Sequence, residues 1–269
     1  MENSTILRYN GYLNTPSLFK TDDLLKFDIL QLKRNSKGLA DTDEFKNQRL
    51  GKLVEEFVFH QLKQESHIKF ITENLQIQNG KLTIGEIDAL YYNNEQPIHL
   101  EIVYKFYLYD SIKTYNNPLS YWIGPNRNDA LDYKLEKLKT KQFPLLYRDQ
   151  TKLQLEMLDI NTENVKQQLC FKAQLFLPYN NQKNDVHLLN EDCVSGFYSS
   201  FNAINDFEQY SFYIPVKLDW LIKPHYNVEW LTFETAKFKI EKFIIQKKSP
   251  LVWLKNEKQE FIKCFITWW

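Results

Sequence analysis

The sequence predicts an α/β protein in which helices cover a mixed β-sheet. Residues 43–65 carry apolar side chains at helical spacing, and a second helical stripe follows at about 128–141. Between them, residues 82–92 and 98–108 alternate polar and apolar side chains around a short polar turn, the pattern of paired strands. The predicted order is a helix, three antiparallel strands, a helix and a strand, followed by a C-terminal α/β extension.

The chain is 269 residues long, with 43% hydrophobic and 25% charged residues, and can bury a large core. Because no repeat or low-complexity linker interrupts it, we expect one domain over residues 1–269. Its predicted parts are an N-terminal arm (1–42), a core (about 43–178) and the C-terminal extension (179–269). Later elements are predicted as strands at 170–177 and 210–217, a helix near 232–246 and a closing hairpin at 250–266.

Composition narrows the class of function and the compartment. No run of about 18 apolar residues is present, so no membrane-spanning helix is expected. The N-terminus lacks the apolar region of a secretory signal. The three cysteines lie far apart without CxxC spacing, which favours a reducing, cytoplasmic location and argues against a structural zinc site. A formal net charge of zero argues against a protein that coats nucleic acid nonspecifically.

The first predicted helix places one of two adjacent acids on its inner side. At about 100° per residue, Gly51, Glu55 and Leu62 fall within about 40° of one another, at the edge of the apolar stripe. Glu56 points to the polar side. We therefore expect Glu55 to face the sheet, the alternative being a solvated position on the flank.

Two hairpins follow this helix. The first turns at Asn-Gly (79–80), a dipeptide favoured in type I′ turns. The second has a loop centred on residues 94–95. In such a hairpin the numbers of two paired residues always add up to the same value, the index sum, which here is 189. Asp88 therefore lies opposite Glu101, because 88 + 101 = 189. Like charges directly opposite each other destabilise a sheet, so this pair requires a cation between them.

A divalent metal suits two facing carboxylates. Magnesium, or manganese in its place, prefers hard oxygen ligands and often uses one or two protein carboxylates together with substrate phosphate. Asp88 and Glu101 are the predicted metal ligands. Lys105 lies two pleats beyond Glu101 on the same strand face, where it could meet a phosphate or orient a metal-activated water. The alternative is that Glu86, Asp88 and Glu101 are solvated residues of a half-exposed sheet.

The stretch WIGPNRNDALDYKLEKLKTKQ begins the second predicted helix. Asn128 or Asp129 is expected to cap it, with Arg127 beside the helix end. Three lysines form a stripe about 90° round from the leucines: Lys134, Lys137 and Lys141. Together with Arg127 they are candidate contacts to a nucleic-acid phosphate backbone. A solvated helix face is the equally open alternative.

These motifs resemble a known superfamily. GEIDAL, followed thirteen residues after Asp88 by an acid inside HLEIVYK (101 − 88 = 13), is similar to the PD-(D/E)XK nucleases. The set LGKLVEE, GEIDAL, HLEIVYKFYL, WIGPNRND and FITWW resembles the bacterial domain-of-unknown-function family 1853, which is placed in that superfamily. The likeness runs from GYLNTPSLF to the end of the chain.

The resemblance implies a restriction-endonuclease-like core and metal-dependent hydrolysis of phosphodiester bonds, with DNA as the expected substrate and Mg²⁺ or Mn²⁺ as cofactor. It assigns Asp88 and Glu101 to the metal, Glu55 to the acid from the first helix, and Lys105 to the water or phosphate. One departure is Val103, which stands where the superfamily places its lysine. The second hypothesis is therefore a catalytically inactive nuclease fold that binds nucleic acid or a protein partner.

Overall fold

The computed structural model describes residues 4–21, 25, 27–32, 38–39, 45, 48–180, 186 and 188–269. Its α-helices are α1 (Ser4–Asn14), α2 (Leu50–Lys63), α3 (Leu131–Lys137), α4 (Asp149–Glu156) and α5 (Phe233–Ile245). A π-helical turn, Leu138–Gln142, continues α3. Short 3₁₀ segments are Pro118–Tyr121, Phe143–Tyr147, Thr162–Asn164, Glu191–Cys193, Phe201–Phe207 and Lys217–Leu221. No helix in these ranges is both long and apolar enough to cross a bilayer.

The fold is α/β with a mixed sheet, in which ten strands fall within the described ranges. They are β1 (Asp28–Ile29), β2 (Ile68–Asn79), β3 (Leu82–Asn93), β4 (Gln96–Tyr109), β5 (Trp122–Ile123), β6 (Lys166–Pro178), β7 (Val194–Ser200), β8 (Ser211–Tyr213), β9 (Leu251–Lys255) and β10 (Phe261–Thr267).

The chain divides into two compact units, each assembled from separate segments. Unit 1 comprises Met1–Pro16, Lys105–Tyr133 and Ala173–Trp269, and unit 2 comprises Ser17–Tyr104 and Lys134–Lys172. Unit 2 carries the antiparallel β2–β3–β4 meander and the parallel pairing of β1 with β6. In unit 1, β6, β7 and β10 pair in parallel, and β10, β9 and β8 follow in antiparallel order.

One apolar cluster of unit 2 packs the helical segments after α3 onto the β2–β3 hairpin. Its buried side chains are Ile77, Ile87, Leu90, Leu145, Leu146, Leu155, Ile160 and Val165. The 3₁₀ segment Phe143–Tyr147 meets β3 at Gly85, where a Cβ atom would lie 2.6 Å from a methyl carbon of Leu145. Glycine therefore lets the 3₁₀ segment lie directly against β3.

The predicted register of the central hairpin is confirmed. Strands β3 and β4 are antiparallel, with Ala89 paired to Leu100 and Leu90 to His99, an index sum of 189. A two-residue loop at 94–95 joins them, and Asn94 takes a left-handed φ of 52°. The hairpin predicted at residues 79–80 also forms between β2 and β3.

Both helices before and after the meander begin later than predicted. Helix α2 starts at Leu50, not at residue 43; residues 43, 44, 46 and 47 lie outside the described ranges. The ring of Phe45 lies 5.0 Å from that of Phe57. Twelve residues of helix would hold those positions about 18 Å apart, so Phe45 is not part of the helix.

The second helix begins at Leu131 because residues 124–129 form a turn first. The amide of Gly124 donates to the carbonyl of Asp129 at 2.8 Å, and Arg127 adopts a left-handed φ of 59°. In unit 1, the strand predicted at 210–217 ends at Tyr213, because Pro215 has no N–H to continue the ladder. The predicted strand near 170–177, the helix near 232–246 and the closing hairpin are confirmed as β6, α5 and β9–β10.

Candidate metal centre

Helix α2 turns one acid inward. Its buried face is apolar apart from Glu55 and Gln61, and Glu55 is 8% exposed. The amphipathic period therefore positions the carboxylate correctly, as the helical wheel predicts. Glu55, and not Glu56, belongs to the group of acids described next.

Strand β3 supplies the other two acids. Glu86 and Asp88 are two residues apart, so their side chains leave the strand on the same side. One oxygen from each of Glu55, Glu86 and Asp88 can be chosen so that all three lie within 4.8 Å of one another. We call Glu55, Glu86 and Asp88 the three-carboxylate cluster. Asp88 is also held by the backbone, because its Oδ2 accepts a hydrogen bond from the Ile102 amide at 2.8 Å.

A lysine lies inside this cluster. The ammonium of Lys52 donates to Glu55 Oε2 at 2.6 Å, to Glu86 Oε1 and to the side-chain oxygen of Asn74 at 2.8 Å. Burial alone would lower the pKa of Lys52, but the hydrogen bonds to Glu55 and Glu86 and the charges of these two acids together outweigh it and raise that pKa. Lys52 is thus a fixed positive charge between helix α2, strand β2 and strand β3.

The single positive charge of Lys52 does not neutralise the three carboxylates of the cluster. Burial raises the pKa of Glu55 to about 7, with a further contribution from the charge of Asp88, while Lys52 opposes the rise. Burial likewise raises the pKa of Asp88 to about 7, and the charge of Glu101 adds to the shift. The cluster holds an excess of negative charge that a bound cation would stabilise.

Glu101 lies beside the cluster, but the three mutually close acids are Glu55, Glu86 and Asp88. It is fully buried and accepts hydrogen bonds from His99 at 3.0 Å and from Gln142. Burial raises the pKa of Glu101 to about 8, and the nearby charge of Lys134 limits the rise. Its field therefore acts on Asp88, whereas its oxygens are held by neutral donors.

His99 serves to hold Glu101. The amide nitrogen of Gln167 donates to the Phe143 carbonyl at 2.8 Å and to His99 Nδ1 at 3.2 Å, which leaves the proton on His99 Nε2 facing Glu101. Burial lowers the pKa of His99 to about 4, so the ring is neutral. This arrangement orients a carboxylate; it does not present an imidazole to solvent.

The three lysines of the predicted stripe differ in their exposure to solvent. Lys134 is half-buried, donates to Gln142 at 2.6 Å, and its charge lowers the pKa values of Asp88 and Glu101. Lys137 and Lys141 are exposed. Lys134 therefore takes part in the electrostatics of the cluster, and the other two are available to solvent.

The remaining predicted site residues lie in unit 1. The ammonium of Lys105 binds Asp129 at 2.5 Å. Arg127 donates to the buried Asp110, and its guanidinium lies 4.4 Å from the centroid of the Trp269 ring. Asp129 also accepts from the Ala130 amide at 3.0 Å, so its carboxylate is shared between a lysine and the start of α3.

The sequence patterns do not predict Lys52 as part of the site, and they leave Glu86 outside the predicted metal ligands. Lys52 stands three residues before Glu55, a spacing at which helical side chains meet, and this was the available signal. The contact from Asn74 had no comparable signal, because β2 reaches the cluster only through the register of the β2–β3 pair.

The fold and the site define an α/β protein with a partly buried three-carboxylate cluster where a helix meets a strand. The chain belongs to the family described as Domain of unknown function (DUF1853), whose match covers residues 16–263. A search of curated proteins found no match, and a search of solved structures found none either.

Proposed function

We propose that the protein is a divalent-metal-dependent nuclease that hydrolyses phosphodiester bonds, with DNA as its substrate. The observation that carries the proposal is the three-carboxylate cluster, whose ligand oxygens lie within 4.8 Å of one another. Glu55, Glu86 and Asp88 would hold the ion.

The donor set fits Mg²⁺ or Mn²⁺. All three groups are carboxylates, the hard oxygen ligands these ions prefer, and such sites complete their coordination with water and substrate phosphate. The raised pKa values of Glu55 and Asp88 point the same way, because acids packed together without enough positive charge retain protons. When bound, the ion would lower the pKa of a coordinated water and polarise a phosphoryl oxygen.

The protein's own residues would prepare this site for hydrolysis. The reaction adds water across a P–O bond: the water oxygen bonds to phosphorus, the ester oxygen leaves, and a proton from the water ends on that oxygen. Asp88 is anchored to the Ile102 amide and Glu101 is held by His99 and Gln142, so neither carboxylate has to reorganise.

We further propose that unit 2 is a restriction-endonuclease-like core of the PD-(D/E)XK superfamily. The order α2, β2, β3, β4, α3 and β6, interrupted by the short strand β5 and by helix α4, supports this assignment. The positions of three acids also support it: Glu55 lies on the helix, Asp88 on β3 and Glu101 on β4.

A cationic pocket of unit 2 would accept the nucleic-acid backbone. It has a volume of about 390 Å³ and is lined by Asn79, Ile84, Lys141, Leu145, Arg148 and Gln150. Neither cation in the pocket forms an ion pair with an acid in the described part of the chain. Ile84 lies two residues before Glu86 on β3, about 7 Å along the strand, so one wall of the pocket lies on the strand that carries two of the acids.

A cleavage assay tests the proposal. Labelled single-stranded DNA, duplex DNA and RNA are incubated with Mg²⁺ or Mn²⁺ and with wild type, Glu86→Gln or Glu73→Gln. Glu73 is a matched control, because it pairs with Lys63 at 2.5 Å and is not a member of the cluster. Wild type and Glu73→Gln should cleave DNA only with metal, and Glu86→Gln should not. Cleavage that survives Glu86→Gln or chelation of metal would contradict the proposal.

An inactive binding module is the second candidate, favoured by Val103 at the usual lysine position and by the pairing of Lys105 with Asp129. It predicts DNA binding by all three proteins without cleavage by any of them.

A further inference from the structure

The cation already present in the cluster is Lys52. Its ammonium donates to one acid from its own helix and one from β3, and to Asn74 on β2. Two of its three partners, Glu55 and Glu86, are also two of the three acids that can surround a metal ion. The lysine and the proposed ion therefore require the same oxygens.

We infer that Lys52 occupies the cation position of the three-carboxylate cluster in the metal-free protein, that a divalent ion must displace it, and that the displaced ammonium then acts on the substrate phosphate. This inference rests on the proposed nuclease function and deepens it, because it names the residue that sets metal affinity and then supports cleavage.

Displacement follows from geometry and charge. Magnesium binds carboxylate oxygens at about 2.1 Å, and the ammonium is 2.6 Å from Glu55 and in contact with Glu86. An ion at those oxygens would lie within a few ångströms of a positive charge, where repulsion is strong in a partly buried site. The ion gains its ligands only when the lysine side chain moves away.

The displaced ammonium needs an anion. Once the ion neutralises Glu55 and Glu86, Asn74 is the partner of Lys52 that remains, and it is uncharged. A phosphodiester substrate in the site would supply the missing negative charge, and the Lys52 ammonium would stabilise the charge that builds on its oxygens during hydrolysis. Lys52 would thus do what the lysine expected at Val103 does in the resembled superfamily. Lys105, the other candidate, is bonded to Asp129.

The test separates metal affinity from cleavage rate in one variant. Lys52→Gln removes the competing charge, so its Kd for Mn²⁺ should fall by about tenfold or more relative to wild type. Its cleavage of DNA at saturating Mn²⁺ should fall by about 100-fold, the typical effect of removing one group that stabilises the transition state. A merely structural lysine would not strengthen metal binding while weakening cleavage.

Three further variants complete the comparison. Lys63→Gln, on the same helix but paired with Glu73, should leave both quantities unchanged. Lys105→Gln should also retain both. Lys52→Arg keeps the charge and guards against misfolding of the glutamine variant; its Mn²⁺ affinity should match that of wild type.

The outcomes are distinguishable. If wild type binds Mn²⁺ and cleaves DNA but Lys52→Gln binds Mn²⁺ no more tightly, or cleaves at the wild-type rate, the inference about Lys52 is overturned and the nuclease proposal stands. Loss of cleavage in Lys105→Gln with normal cleavage in Lys52→Gln would return the role to Lys105. If neither wild type nor Lys52→Gln binds Mn²⁺, the proposed function itself fails.

Discussion

Removing the charge of Asp88 should stabilise the metal-free protein at alkaline pH. Folding raises the pKa of this residue from 3.8 to about 7, chiefly through burial and then through the charge of Glu101. An acid whose pKa is raised on folding stabilises the protein below its unfolded pKa, and this contribution is lost as pH rises through the folded value. The destabilisation therefore develops between about pH 4 and pH 7 and is fully present at pH 8.

The size of this effect follows from the shift. About three pKa units at about 1.4 kcal/mol each set an upper limit of roughly 4 kcal/mol, and coupling to Glu55 and Glu101 spreads the penalty over several acids. We expect Asp88→Asn to recover about 2 kcal/mol at pH 8, because the asparagine oxygen can still accept from the Ile102 amide. For a chain of this length that corresponds to a rise in Tm of about 4–8 °C.

Thermal unfolding in EDTA at pH 5 and pH 8 measures the difference in Tm between Asp88→Asn and wild type, with Asp110→Asn as the control. Asp110 is also fully buried, but it accepts hydrogen bonds from Arg127 and from Tyr115 at 2.7 Å, so its neutralisation should lower Tm by leaving the half-buried arginine without its counter-charge. The reasoning is refuted if Asp88→Asn melts below wild type at pH 8, or if its advantage is as large at pH 5.

Three other outcomes are expected. Since protons compete with metal for acids such as Asp88, whose pKa is about 7, Mn²⁺ affinity measured by titration should rise steeply between about pH 6 and pH 8 and level off above it; a flat profile would contradict this. Lys141→Gln and Arg148→Gln should each lower the salt slope of DNA binding by about one, without altering Mn²⁺ affinity; an unchanged slope would remove the cationic pocket from the interface. In chemical denaturation, Gly11→Ala should lower the free energy of unfolding by about 3 kcal/mol or more, because its Cβ would lie 2.1 Å from a backbone oxygen. Gly51→Ala, with open space around the Cβ, should leave that free energy unchanged or raise it by up to about 1 kcal/mol. Equal effects of the two substitutions would contradict the packing.

Much of unit 2 was predictable because its determinants are local. The turn at residues 94–95 fixes the β3–β4 register, and helical periodicity alone turns Glu55 inward. Asp88 follows from strand alternation. These positions depend on neighbours within one hairpin or a few helical turns, which a sequence displays directly.

The rest depends on contacts that are distant in sequence. The grouping of Glu86 with Glu55 requires α2 to pack on β3, thirty residues away in the chain, and no spacing rule predicts it. The parallel pairing of β7 with β6 and β10 is similarly non-local, and β7 was not predicted at all. The predicted start of α2 is too early because the apolar pattern continues through Phe45, which contacts α2 from outside the helix.

The central claim, that the three-carboxylate cluster binds a divalent ion, is tested most directly by calorimetric titration of the metal-free protein with Mn²⁺ at pH 8. Wild type and the control Glu73→Gln should bind with equal affinity, and Asp88→Asn and Glu86→Gln should show no saturable heat. Repeating the titration at pH 7 in buffers of different ionisation enthalpy should also reveal proton release. Glu55 and Asp88 each have a pKa of about 7, so they are partly protonated at this pH and lose their protons when the metal binds. A wild-type protein that gives no saturable heat with millimolar Mn²⁺, or an Asp88→Asn variant that binds as wild type does, would contradict the account.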